Sequence, residues 1–363
     1  MKTSIQIGKI MGIPIKLHIT FLLILPVFAW MFARTEPQFG GFQDVEPELL
    51  RYSMGMAASV LLFTCVLLHE LGHSYVAKKH GSDINSITLF LFGGVSSMED
   101  IPRDPKTELK MAVAGPAVSL LIGSILIMIH EISRQELLFQ DDPYMRLVWL
   151  IGYINIVLCI FNLIPAFPMD GGRVLRAWLA GRMSYIKATQ IAAGIGKMFA
   201  IFMGIFGLFS SIIWLTLIAF FIYIGASEEE KSTEVSVILE GVKVKAIMSK
   251  EVQTVSPETT VEELVDIMFK YKHMGYPVMD GSKVKGIVTF TDVQKVIKED
   301  RKNVKVSQIM TKELITARED DDAITVLKLL TRNSIGRIIV KNDEKMIGII
   351  SRTDVLRAVQ LLE

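Results

Sequence analysis

The chain has 363 residues, room for two or three domains, with 51% hydrophobic residues, a mean hydropathy of +0.42 and a formal net charge of +1. A charge so near zero excludes an electrostatic nucleic-acid binder. The hydropathy is high for a soluble protein, and the excess is uneven: residues 17–226 hold the long apolar runs, whereas 227–363 are rich in Lys, Glu and Asp. Cys65 and Cys159 both lie inside apolar runs and read as buried small hydrophobes rather than as a disulfide or metal ligands.

A membrane helix needs ~20 mostly apolar residues. Six stretches qualify, at about 17–33, 54–77, 111–130, 147–167, 190–208 and 210–226. Only a Gly/Ser-rich bend at 207–211 separates the last two, so five spans is the alternative. The first run follows Lys2, Lys9 and Lys16 as a signal peptide would, yet no small-x-small cleavage site precedes Thr35, and it is taken as a mature span. With six spans, one set of connections carries twelve cations: Lys2, Lys9, Lys16, Lys78, Lys79, Arg103, Lys106, Lys110, Arg173, Arg176, Arg182 and Lys187. The other carries four, Arg34, Arg51, Arg134 and Arg146, which places both termini in the cytosol of a multi-pass cell-membrane protein.

The second stretch ends in His69-Glu70-Leu71-Gly72-His73. On a helix, positions i and i+4 lie on one face, so His69 and His73 can grip one zinc ion while Glu70 serves as general base toward a water. Ionisable groups in hydrocarbon cost several kcal/mol each unless paired, metal-bound or hydrated, which makes them functional candidates by default. From Met54 to Leu68 a helix rises ~22 Å, so the pair is expected inside the bilayer, nearer its cytosolic side. Residues 86–96 are too short to span as a helix and alternate like a strand, and we read them as a re-entrant β-hairpin. Either it offers an edge, around Gly93 and Gly94, on which an unwound substrate strand pairs, or it is a packed plug.

A catalytic zinc usually takes three protein ligands and keeps one position open. His18, His80, His130 and His273 fall in no pattern, and Asp170 is the better candidate. Pro165 and Pro168 break the helix ahead of it and Gly171-Gly172 loosen the turn. Broken helix at membrane depth survives only where it lines a cavity or is buried in protein. The competing role for Asp170 is an N-cap for the segment 173–178.

Taken together, the HELGH run in an early apolar stretch and the N-x-x-P-x-x-P-x-D-G-G run from Asn162 to Gly172 resemble the site-2 protease family of intramembrane zinc metalloproteases. The resemblance covers roughly residues 8–226 and includes Gly115-Pro116-Ala117 and Phe92-Gly93-Gly94-Val95. It implies His69, His73 and Asp170 as ligands of one Zn2+, Glu70 as the catalytic acid and base, and Asn162 near the substrate.

After a polar linker at 227–241 the chain repeats itself. Val244, Ile247, Met248, Gly286, Ile287, Thr289, Thr291, Asp292 and Val293 recur 62 positions later as Val306, Ile309, Met310, Gly348, Ile349, Ser351, Thr353, Asp354 and Val355. Each unit reads β-α-β-β-α, and the pair, about 242–300 and 301–363, resembles tandem CBS modules. That resemblance implies an adenine-nucleotide cleft for ATP, ADP or AMP, with Thr289, Asp292, Ser351 and Asp354 as contacts, and a homodimer through the modules. The competing role of these residues is helix capping without a ligand.

The expected architecture is therefore a polytopic α-helical membrane domain, 1–226, with about six transmembrane helices and a re-entrant β-hairpin, plus a cytosolic α/β tandem CBS module. The expected function is zinc-dependent endopeptidase action on membrane-spanning proteins, tuned by nucleotide. The alternative is a nucleotide-gated transporter or channel without proteolytic activity.

Overall fold

The computed structural model describes residues 4–90, 93–98, 104–134, 142–343 and 345–362. Lys2 and Arg103, counted in the charge asymmetry, and Leu91 and Phe92 of the expected hairpin lie outside them. Packing divides the chain into residues 1–231 and 232–363.

The first unit opens with strands β1 (Ser4–Ile10) and β2 (Ile13–His18), which turn at Met11 and Gly12 with φ of 55° and 80°. Two consecutive positive φ values make the tight hairpin turn whose twist matches the strands. Helices α1 (Ile19–Arg34) and α2 (Glu48–Lys79) follow, with His18 Nδ1 capping α1 by accepting from Thr20 N–H. Next come β3 (Ile84–Phe90) and β4 (Gly93–Met98), α3 (Pro105–Arg134), α4 (Pro143–Asn162), α5 (Asp170–Ala180), α6 (Tyr185–Phe209) and α7 (Ile213–Ile238).

All six expected apolar stretches are helical over most of their length, with shifted bounds. α2 begins six residues before Met54, and the fourth helix ends at Asn162, leaving 163–169 as the broken segment. Among the described residues four helices, α2, α3, α4 and α6, are long and apolar enough to cross a membrane. α1 has 16 residues, and α7 runs from its apolar half straight through Glu228, Glu229 and Glu230. The segment expected as a linker is thus helical up to Ile238. Glu and Lys are good helix formers, so the change from apolar to charged residues alters what the helix faces without stopping it. Large side chains such as Leu23, Trp30, Leu121, Ile160 and Phe206 point outward from these helices, as a lipid-facing surface requires.

Small residues let the helices approach closely. A Cβ on Gly123 of α3 would stand 2.9 Å from the Gly152 carbonyl of α4. The β3–β4 hairpin is antiparallel, as the alternation implies, but it belongs to a four-stranded sheet ordered β1-β2-β3-β4. β2 and β3 pair in parallel, from Ile15 with Ile87 to Leu17 with Leu89, and Ile13, Ile15 and Ile87 pack on Leu71 of α2. The motif-bearing helix therefore rests on a sheet in which β4 is one of the two outer strands.

The second unit repeats one pattern. α8 (Val244–Ile247), α9 (Val261–Tyr271), β5 (Gly275–Asp280), β6 (Lys283–Thr289) and α10 (Phe290–Gln294) form the first half. α11 (Val306–Ile309), β7 (Thr316–Ala317), α12 (Ala323–Arg332), β8 (Arg337–Asn342), β9 (Lys345–Ser351) and α13 (Arg352–Leu362) form the second. Leu264, Tyr276 and Val278 centre one core; Leu330, Ile338 and Val340 centre the other. The 62-residue offset reappears in the pairing across halves, where Ser249 bridges Ile349 and Thr311 bridges Ile287. Each half lends a residue to the other's sheet, which makes the two repeats one packed module.

Candidate metal centre

On α2, one turn brings His69 and His73 together with both rings buried at 4% and 8% exposure. Asp170, the first residue of α5, reaches them from the end of the broken segment, with Met169 rather than Asp170 as the N-cap. His69 Nε2 lies 3.2 Å from Asp170 Oδ2, His73 Nε2 lies 3.0 Å from it, and the two Nε2 atoms are 3.2 Å apart. Among the described residues this is the one group of three such side chains whose ligand atoms converge, all within 4.8 Å.

The tautomers follow from the other ring nitrogens. His73 Nδ1 lies 2.7 Å from the Met111 carbonyl, which can only accept, so Nδ1 carries a proton and in the neutral ring Nε2 presents the lone pair. His69 Nδ1 lies 2.9 Å from Ser119 Oγ, a hydroxyl that can accept from it in the same way. With both rings neutral in that form, three acceptors face one point, an arrangement suited to a cation. A tetrahedral centre with ligand bonds of about 2.0–2.1 Å holds its ligands about 3.3 Å apart, close to the spacing here. Two nitrogens and one carboxylate oxygen form a donor set that suits zinc.

Helix α3 supplies two residues that sequence reading did not single out, beside Gly115, which it did. Met111 and Ser119 orient the two rings, the outer hydrogen bonds that fix a ligating histidine. Gly115 lies midway between them on the same face, and a Cβ there would stand 2.2 Å from His73 Nε2 and 2.7 Å from His69 Nε2. Only glycine lets this helix cross so close to the imidazoles.

Glu70, half-buried, turns toward β4, where a Cβ on Gly94 would lie 2.5 Å from Glu70 Cγ. Asn162 ends α4 with its amide donating to the Leu158 carbonyl of its own helix at 3.0 Å, outside the histidine–aspartate group. In the second unit Asp292 Oδ2 accepts from Thr289 N–H at 3.0 Å and from Thr289 Oγ1 at 2.7 Å. Ser351 and Asp354 repeat this at 2.8 and 2.7 Å. Both pairs therefore close capping boxes at strand–helix turns.

Burial alone would raise the Asp292 carboxyl, but hydrogen bonds from Thr289 and Lys295 hold it below its ordinary 3.8. A lowered carboxylate stabilises the fold above its unfolded pKa, and that contribution disappears as pH falls through the folded value. Asp292→Asn is expected to cost about 1 kcal/mol at pH 7, with the gap to the parent protein closing as melts are repeated toward pH 3. A pH-independent gap would assign the cost to packing.

These features describe an apolar helical unit with a candidate metal centre, followed by a duplicated α/β module, and comparison with known proteins gives the class. The model for Peptidase family M50 matches residues 57–140 and 126–203, and that for the CBS domain matches 244–299 and 306–361. The chain is 40% identical over 364 residues to a zinc metalloprotease of Methanocaldococcus jannaschii, covering 100% of this chain and 98% of that one. It is 28% identical over 379 residues to Rip3 of Mycobacterium tuberculosis, named as a zinc metalloprotease, covering 99% and 94%. A solved site-2 protease from M. jannaschii shares 42% identity over 62% of this chain and 95% of that one, with a TM-score of 0.47. The chain belongs to the M50, or site-2 protease, family of zinc metalloproteases and carries a tandem CBS pair.

Proposed function

We propose that this metalloprotease cleaves membrane-spanning substrates within the bilayer, with zinc held by His69, His73 and Asp170 and with Glu70 as its acid and base. The observation that carries the reading is the convergence, at 3.0–3.2 Å, of two Nε2 atoms from an apolar helix and one carboxylate oxygen from α5. When bound, zinc supplies Lewis acidity toward a water and a carbonyl oxygen. The Glu70 carboxylate takes the proton from the attacking water and returns it to the departing amide nitrogen. β4, the outer strand beside Glu70, offers an edge on which an extended substrate adds as a further strand, past Gly93 and Gly94. Strand addition exposes backbone that a substrate helix would hide. Asn162 serves substrate binding once its helix-end amide is released from Leu158.

In this reading the chain crosses the membrane six times with both termini cytosolic, the β3–β4 hairpin re-enters, and the domain ends near residue 226. The CBS pair binds an adenine nucleotide through Thr289, Asp292, Ser351 and Asp354, supports a homodimer, and biases substrate entry. Membership of a protease family gives the transporter alternative no support.

Metal analysis of purified protein tests the centre. About one zinc per chain is expected, lost in His69→Ala and strongly reduced in Asp170→Ala, together with cleavage of a model membrane-spanning substrate. Unchanged zinc in Asp170→Ala would send the search for the third ligand elsewhere. For the module, Asp292→Ala and Asp354→Ala should each weaken ATP or AMP binding by roughly 1.5–3 kcal/mol, the worth of a charge-assisted hydrogen bond.

A further inference from the structure

Arg176 is buried to 2% exposure, although its place in sequence is among the cations of a connection. Its guanidinium reaches three other helices and the broken segment. Nε lies 2.7 Å from Glu108 Oε1 of α3, itself 2% exposed, and Nη1 lies 2.8 Å from Glu229 Oε1 of α7. The same group sits 4.8 Å from the ring centroids of Phe167, in the broken segment, and of Tyr185, at the start of α6. A planar fork that pairs and stacks at once is a task for arginine rather than lysine.

The partners explain what the fork is for. Phe167 lies three residues before Asp170, and Arg176 itself lies on the helix that Asp170 begins. Glu108 lies three residues before Met111, whose carbonyl fixes the His73 tautomer, and on the helix that carries Gly115 and Ser119. One side chain thus joins the element bearing the carboxylate to the element that orients both imidazoles. A slip of α5 against α3 would open the 3.0 and 3.2 Å distances at the centre.

We propose that Arg176 is a positioning residue for the metal centre, clamping α5 to α3 through Glu108 so that Asp170 stays in register with His69 and His73. The inference rests on those three residues being the zinc site. Outer groups that orient ligands are worth 10–100-fold in metal affinity, so zinc retention, rather than turnover alone, is the quantity to read. A lone Arg176→Met leaves Glu108 buried without its partner and invites misfolding. The informative variant is therefore the neutral pair Glu108→Gln with Arg176→Met in the full-length chain. Zinc release into a chelator is followed with a metal indicator, beside a thermal melt in detergent.

The folded double variant is expected to release zinc at least tenfold faster than the parent protein. Arg176→Lys, which keeps the charge but not the fork, should release it several-fold faster. Parent-like release from a folded double variant, or from Arg176→Lys should the double variant not fold, would overturn the clamp. A parent protein that binds no zinc would instead overturn the metal centre itself, so the two failures are separable.

Discussion

Glu70→Gln is expected to leave the zinc content at its parent level and to lower cleavage of a membrane-spanning substrate by at least ~100-fold, the usual worth of a general acid or base. Glutamine keeps the shape and the contact with β4 beside Gly94 but cannot accept a proton from water. The histidines and Asp170 are untouched, and their hydrogen bonds to Met111 and Ser119 run through α3, away from residue 70. Metal content and single-turnover cleavage, measured on the same preparation, separate the roles. Near-parent turnover would remove Glu70 from the chemistry, and loss of zinc would place it in the ligand set.

Gly115→Ala should be equally severe for a different reason. The added methyl would lie 2.2 Å from His73 Nε2, 2.6 Å from its Cε1 and 2.7 Å from His69 Nε2, where both lone pairs converge. α3 cannot simply withdraw, because its Met111 carbonyl and Ser119 hydroxyl hold the same rings. Alanine favours a helix over glycine by about 1 kcal/mol, so helicity should not fall while bound zinc drops to a tenth or less. Gly194→Ala, whose Cβ would meet nothing within 4 Å, is the matched control. Full zinc in Gly115→Ala would show that the rings can turn aside.

What could be read in advance followed from signals that live in side chains. The apolar runs gave the helices, the i, i+4 histidines gave the pair, and Pro165, Pro168 and Gly171 gave the break that brings Asp170 in. The duplicated T/S-x-x-D turns were equally visible, because repetition needs no structural assumption. Other features were hidden for physical reasons. Met111 acts through its backbone carbonyl, which every residue possesses, and Ser119 is one hydroxyl among many on apolar helices. Arg176 looked like a solvated cation because its partners, Glu108 and Glu229, lie 68 and 53 residues away. β1 and β2 escaped because Lys9 and Lys16 made residues 4–18 read as the charged flank of a span rather than as a hairpin. The sharp change at Glu228 marked a change of surroundings that was taken for a change of structure, whereas Arg176 and Lys197 neutralise Glu229 and Glu230 and the helix continues.

The three proposed ligands are unevenly distributed along the chain: His69 and His73 are one turn apart, while Asp170 follows His69 by 101 residues. A ribosome making this protein completes the paired histidines long before the carboxylate exists, and α3 and α4 must both be laid down in between. Until α5 emerges, the nascent chain has two nitrogens and a vacant third place, a far weaker grip on metal than the finished triad. If these three residues hold the metal as proposed, the complete site exists only once the chain has been made through α5.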